Sequence, residues 1–160
     1  VRRVKGLLFP YACPWGEKDK TRRTEKMERV IRVLLVDDEE RFAQTLSKRL
    51  TERGLSVLTA SRGREALELM EDHVFDVVVL DVKMPGMDGV ETLREAKKVQ
   101  PLTEVILLTG HASVDSAIEG MRLGAFEYLM KPCEIEELMA KIEEAYAKRV
   151  MREEELRQSV

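Results

Sequence analysis

Residues 30–147 of this 160-residue chain predict an α/β domain, a doubly wound five-stranded parallel sheet flanked by five helices. Three observations carry that prediction. Short β-branched runs alternate with stretches whose apolar residues recur every three or four positions. Each strand–helix–strand repeat calls for a right-handed crossover, which makes the strands parallel and covers both faces of the sheet. Strands buried on both faces read as near-continuous apolar runs, as Phe75-Asp-Val-Val-Val-Leu does.

The elements follow in order. Val30–Val36 is the first strand and ends in acidic residues. Phe42, Ala43, Leu46 and Leu50 share one face of a helix that stops at Gly54. Leu55–Ala60 is the second strand, and Ala66, Leu67 and Met70 mark a short helix over 64–71. Phe75–Leu80 is the third strand, apolar enough to be central in the sheet. Val90, Leu93 and Ala96 line a helix ending before Pro101, and Glu104–Thr109 is the fourth strand. Ser113 caps the next helix, with Ile118 and Met121 turned inward and Gly124 closing it. Phe126–Met130 is the fifth strand, stopped by Pro132. Ile135, Leu138, Met139, Ile142, Ala145 and Tyr146 form the stripe of the last helix. The stripe decays over 148–160, which reads as an extension of that helix or the start of a linker.

Composition excludes several function classes. With 27 basic and 30 acidic side chains the formal net charge is −3, so no direct nucleic-acid partner is expected. Aromatics at 5% argue against a stacking platform for single strands. No run reaches the roughly 18 apolar residues of a membrane span, so no membrane partner is expected. Two cysteines, Cys13 and Cys133, form neither a disulfide framework nor a metal cluster, which fits a reducing cytoplasm. Cys133 reads as a small packing residue. Residues 1–29 read as an N-terminal extension, expected to be disordered and assigned no function. Its apolar run, Gly6-Leu-Leu-Phe, is too short for a signal-peptide core of about 7–15 residues.

In a doubly wound parallel sheet the binding site lies at the carboxyl ends of the strands, near the point where strand order reverses. The first strand ends in Asp37-Asp38, the third in Asp81 and the fourth in Thr109, while the fifth runs into Lys131-Pro132. Nothing comparable is visible at the opposite edge. Three carboxylates brought together repel one another. A hard divalent ion relieves that repulsion, and Mg²⁺ is the usual choice where water and phosphate oxygens complete the octahedron. The absence of accompanying histidine or cysteine argues against zinc. A central carboxylate can attack phosphorus to give an aspartyl phosphate. A metal ion, an ammonium and a hydroxyl are the groups that stabilise a transferring phosphoryl group, and this sequence offers candidates for all three.

Val36-Asp-Asp-Glu-Glu, Leu80-Asp-Val-Lys-Met-Pro-Gly-Met-Asp-Gly, Leu108-Thr-Gly and Tyr128-Leu-Met-Lys-Pro resemble the receiver domains of two-component response regulators, in order and in spacing. The resemblance covers about Ile31 to Tyr146 and implies the flavodoxin-like, chemotaxis-regulator-like (βα)5 receiver fold. It implies that Asp81 is the phosphoacceptor, fed by a sensor histidine kinase or a histidine phosphotransfer protein. Asp38 and Asp81 would ligate Mg²⁺, or Mn²⁺, with the backbone carbonyl of Lys83, and Asp37 would act largely through water. Lys131 would pair with the phosphoryl oxygen, its bond to Pro132 being cis. Thr109 would hydrogen-bond the phosphate and Tyr128 would turn inward behind it; a plain core tyrosine is the other reading. The responding surface would be the fourth helix, fifth strand and fifth helix, through which a homodimer could form. Lys83 and His111 would flank hydrolytic water and modulate phosphate lifetime, although His111 reads equally as an exposed loop residue. Gly86 and Gly89 would shape the loop after Asp81.

Such a chain is a signalling switch rather than an enzyme, catalysing only its own phosphorylation and dephosphorylation. It reads as a stand-alone receiver or a fragment of a longer regulator. The alternative is a haloacid dehalogenase-type phosphatase with an aspartate nucleophile, but that pattern places a second acid where Lys83 stands. A dinucleotide fold would need a G-x-G-x-x-G after the first strand, and none is present.

Overall fold

The computed structural model describes residues 29–110 and 113–159, so the expectations for the extension over 1–28, including Cys13, and for His111 lie outside the described residues. The compact unit begins at Ile31. Its elements are β1 (Arg32–Val36), α1 (Glu40–Glu52), β2 (Ser56–Ala60), α2 (Gly63–Asp72), β3 (Val77–Leu80), α3 (Gly89–Val99), β4 (Glu104–Thr109), α4 (Val114–Arg122), β5 (Glu127–Met130) and α5 (Ile135–Gln158). All pairings are parallel, in the order β2-β1-β3-β4-β5. The order reverses between β1 and β3, which brings their carboxyl ends side by side.

The period of two along each strand sorts the core into two layers. Val33, Leu35, Val77, Val79, Ile106 and Leu108 face the side packed by Leu46 and Leu50 of α1 and by Leu138 and Ile142 of α5. Leu34, Val36, Val78, Leu80, Val105 and Leu107 face Ala66 and Met70 of α2 and Leu93 and Ala96 of α3. The third strand is central and wholly buried, as its unbroken apolar run predicts.

β1 and β3 each begin two residues later than the apolar runs suggest. The Phe75 N–H donates sideways to Gln100 Oε1, and the ladder between β1 and β3 starts only where the Asp76 N–H reaches the Arg32 carbonyl.

Two features differ from the sequence reading. In α4, Ile118 and Met121 face solvent at 51% and 46% exposure, with Val114 beside them, and the buried residue is Gly120. A Cβ on Gly120 would overlap Leu107 Cδ1, so its lack of a side chain lets α4 lie against the sheet. Periodicity found the apolar stripe of α4 but could not say whether anything covers it.

The second difference is at the amino edge of the sheet, where the sequence showed nothing of note. Asp76 and Glu104 are fully buried there. Arg32 and Arg149 pair with Asp76, while Lys97, Lys148 and Arg152 lie 3.6–3.9 Å from Glu104. These charges lie along α5 where its apolar stripe has ended, and the helix runs on to Gln158. Three cations of its last turns are held on the underside of the sheet, and Arg149–Glu153 and Arg157–Glu153 add pairs four residues apart along the helix.

Candidate functional site

Three backbone bonds carry the ladder one residue past the strand ends. Asp37 N–H donates to the Ala60 carbonyl, Asp81 N–H to that of Val36, and Lys131 N–H to that of Thr109. Asp37, Asp81 and Lys131 are therefore held with the rigidity of the sheet, and each continues the alternation of Leu35, Val79 and Leu129 on the α1/α5 side. Asp38 stands one residue on and is exposed, whereas Asp37 and Asp81 are buried. One carboxylate oxygen from each of Asp37, Asp38 and Asp81 lies within 4.8 Å of the others.

Lys131 spans the cluster. Its Nζ donates to Asp37 Oδ2 at 2.6 Å and stands 3.5 Å from Glu39 Oε1 and 3.9 Å from Asp81 Oδ2. Burial disfavours its charge, but the hydrogen bond and charge of Asp37, with Asp81 and Glu39 behind, hold its pKa above the ordinary lysine value. Asp37 accepts a second bond at Oδ1 from the Glu39 N–H. Burial pushes the Asp81 carboxyl above the ordinary aspartate range, with Asp37 adding to the rise and the Thr109 hydroxyl and Lys131 opposing it. Asp81 Oδ1 is buried without a hydrogen-bond partner among the described residues.

The donor set fits a hard cation. Three carboxylates converge there, and among the described residues a buried Asp81 oxygen has no hydrogen-bond partner. No histidine or cysteine is among those ligand atoms.

The remaining expected residues are placed as follows. Thr109 is buried at the end of β4, and the Lys131–Pro132 bond is cis. Tyr128 is half-buried in the layer of α2 and α3, its hydroxyl 3.3 Å from Ser116 Oγ of α4. The Lys83 side chain points to solvent two residues beyond Asp81. Burial and Glu137 push the Cys133 thiol up to about 11, so it is protonated at neutral pH and packs against the α1/α5 layer. Two participants were not anticipated from the sequence: Glu39, and Phe42, whose ring lies under the Lys131 ammonium. The acidic run after Asp38 was a signal for the first; only the fold places the second.

The loop from Asp81 to α3 leaves no space at Gly89. A Cβ there would overlap the Asp81 carbonyl oxygen and come within 2.6 Å of Val82 Cα, and the Gly89 N–H donates to the Val82 carbonyl. These neighbours are backbone and cannot rotate away. Gly89→Ala is expected to lower unfolding free energy by about 1–3 kcal/mol in urea titration and to weaken divalent-ion binding, because the Asp81 carbonyl must shift.

Residues 33–143 match the response regulator receiver domain family. The chain is 38% identical over 128 residues to regulatory protein AtoC of Escherichia coli K12, an alignment covering 80% of this chain and 28% of that protein. It thus spans about a quarter of the length of the first curated relatives it matches. A receiver domain protein from Clostridium thermocellum superposes with a TM-score of 0.73 at 40% identity, covering 76% of this chain and 98% of that one. A response regulator protein from Burkholderia pseudomallei, solved with a phosphorylated aspartic acid and a calcium ion, gives 0.68 at 31% identity, covering 79% and 74%.

Proposed function

The chain belongs to the response regulator receiver domain family, and from that membership we propose that Asp81 is its phosphoacceptor. The observation that carries this reading is the geometry around Asp81. It is a buried carboxylate with one oxygen unpartnered among the described residues, beside two further aspartates and a lysine ammonium. The phosphorylated aspartate and cation of the Burkholderia protein support it.

Asp37, Asp38 and Asp81 would hold Mg²⁺, with the Lys83 carbonyl as a further ligand. Bound there, the ion would offset the repulsion among the carboxylates and the charge of an incoming phosphoryl group. The Asp81 oxygen attacks phosphorus as the bond to the donor nitrogen or oxygen breaks, and the donor leaves with that electron pair. Lys131 would exchange Asp37 for a phosphoryl oxygen, and its distances of 2.6 Å from Asp37 and 3.9 Å from Asp81 support that role. Thr109, already against Asp81, would supply the hydroxyl, and Tyr128 would leave Ser116 and follow. The exposed Val114, Ile118, Met121 and Met130 give the α4-β5-α5 face an apolar surface for an output partner or a second copy. Lys83 and His111 would govern the lifetime of the phosphate.

Histidine kinases or phosphotransfer proteins are the donors this family uses, and a cytoplasmic setting belongs to the same reading. Among the described residues no helix is long and apolar enough to cross a membrane. The chain is read as a switch that turns over no separate substrate.

Incubation with a labelled small phosphodonor tests the proposal. The expected result is one acid-stable, base-labile label per chain that requires Mg²⁺ and is absent in chelator. Steady release of phosphate from monoesters, or labelling that ignores Mg²⁺, would overturn it.

A further inference from the structure

The Lys131 ammonium rests on an aromatic face that none of the sequence motifs includes. We infer that Phe42 is a positioning residue for Lys131, holding the ammonium where it can transfer to a phosphoryl oxygen. The inference rests on the reading of Asp81 as the phosphoacceptor.

Lys131 Nζ lies 4.1 Å from the centroid of the Phe42 ring, well inside the roughly 6 Å within which a ring's negative face attracts a cation. The ring projects from the first turn of α1 and is held in place by the α1/α5 layer, against which it packs half-buried. Among the described residues the ammonium's ion-pair partners are Asp37 at 2.6 Å, Glu39 at 3.5 Å and Asp81 at 3.9 Å. Two of these three change when the site is loaded. A cation draws on the charge of Asp37, and Asp81 gives up an oxygen to phosphorus. The ring does not change. It accepts no conventional hydrogen bond, so the three ammonium donors stay available for oxygens at the strand ends. Its attraction is also strongest where water is excluded, and the Lys131 side chain is only 13% exposed. A neutral, fixed face thus keeps Lys131 in reach during the exchange of partners. A carboxylate in the same place would compete with the phosphoryl group for it.

A leucine at position 42 would preserve the apolar packing but not the field. Stepwise fluorination of the ring drains negative charge from its face while nearly preserving its shape, and so separates the two roles. Phe42 lines a cleft of about 80 Å³ with Thr45, Leu46, Leu108, Cys133 and Leu138.

The measurement is the dissociation constant of beryllofluoride, a stand-in for the phosphoryl group, in the presence of Mg²⁺. Affinity is expected to fall progressively with each added fluorine, reaching about threefold to tenfold, a span set by the strength of such contacts. Phe42→Leu is expected to lose a similar factor, and Phe42→Trp to retain wild-type affinity. A flat series, or a Phe42→Leu protein that binds as well as wild type, would overturn the inference. Asp81→Asn separates this from the underlying reading. If it binds beryllofluoride like wild type, Asp81 is not the acceptor; if binding depends on Asp81 but not on the ring, only Phe42 is misassigned.

Discussion

Asp81→Asn is expected to abolish phosphoryl labelling and, at the same time, to raise the stability of the metal-free fold at neutral pH. The first effect follows from removing the attacking oxygen. The second follows from the environment of the carboxyl. Burial, with Asp37 adding to it, lifts the folded-state pKa of Asp81 above its unfolded value. A raised carboxyl binds its proton more tightly in the folded state. Its contribution is therefore fully present below the unfolded pKa and is lost as pH rises through the folded one. At neutral pH the ionised Asp81 is thus a net cost to the fold, which the neutral amide removes. Urea titrations should show the wild-type chain gaining on the variant as pH falls through the carboxylate range.

Mg²⁺ should reverse the ranking. At a hundred times its dissociation constant, a ligand confined to the folded state adds about 2.7 kcal/mol. The wild-type protein is expected to show that gain, and Asp81→Asn only a fraction of it. A variant less stable than wild type without metal would contradict the account. The trade is familiar at functional sites, where groups are held in surroundings unfavourable to their charge because the ligand supplies the compensation.

Asp76→Ala is expected to be the most damaging single change to the fold, costing about 3–5 kcal/mol, because it leaves buried partners without a counter-charge. Asp76 is fully buried. Its Oδ2 accepts from the Arg32 backbone N–H at 2.8 Å and from Arg32 Nε at 3.2 Å, and its Oδ1 accepts from the second guanidinium nitrogen at 3.1 Å. Arg149 of α5 reaches the same Oδ1 at 3.4 Å. One carboxylate thereby joins the start of β1, the start of β3 and the last turns of α5. Without it the Arg149 guanidinium, 8% exposed, keeps Glu153 alone as a close acidic partner among the described residues. Asp76→Asn, which keeps an acceptor for the Arg32 N–H, is expected to cost less. Pairing Asp76→Ala with Arg149→Met should recover part of the loss, since a buried pair removed whole is far cheaper than one broken. Additive losses in urea unfolding of the double variant would show that the two residues do not act as a unit.

Much of this molecule is legible without coordinates. The strand centres, the five helices and the carboxyl-edge set of Asp37, Asp38, Asp81, Thr109 and Lys131 all stand out in the chain. Each is signalled locally, by a period of two or 3.6, or by a polar residue closing an apolar run. Where the reading went astray, the cause was not local. Ile118 and Met121 form a proper helical stripe, but the stripe that α4 buries is the one containing Gly120, chosen by its fit to Leu107. Asp76 and Glu104 looked like ordinary polar residues at strand starts, because their partners on α5 lie more than forty residues away.

The sequence by itself determined the parallel α/β architecture and which chemical groups reach the carboxyl edge, since both follow from patterns written over a few neighbouring residues. Only the tertiary structure decided how those groups meet. Lys131 lies closer to Asp37 than to Asp81 and rests on Phe42, α4 leaves its apolar stripe to solvent, and α5, past its own stripe, pairs with buried acids beneath the sheet. Periodicity encodes which way a side chain points from its own element. Distances and counter-charges arise between elements, and there packing and desolvation choose among partners that the chain alone leaves equivalent.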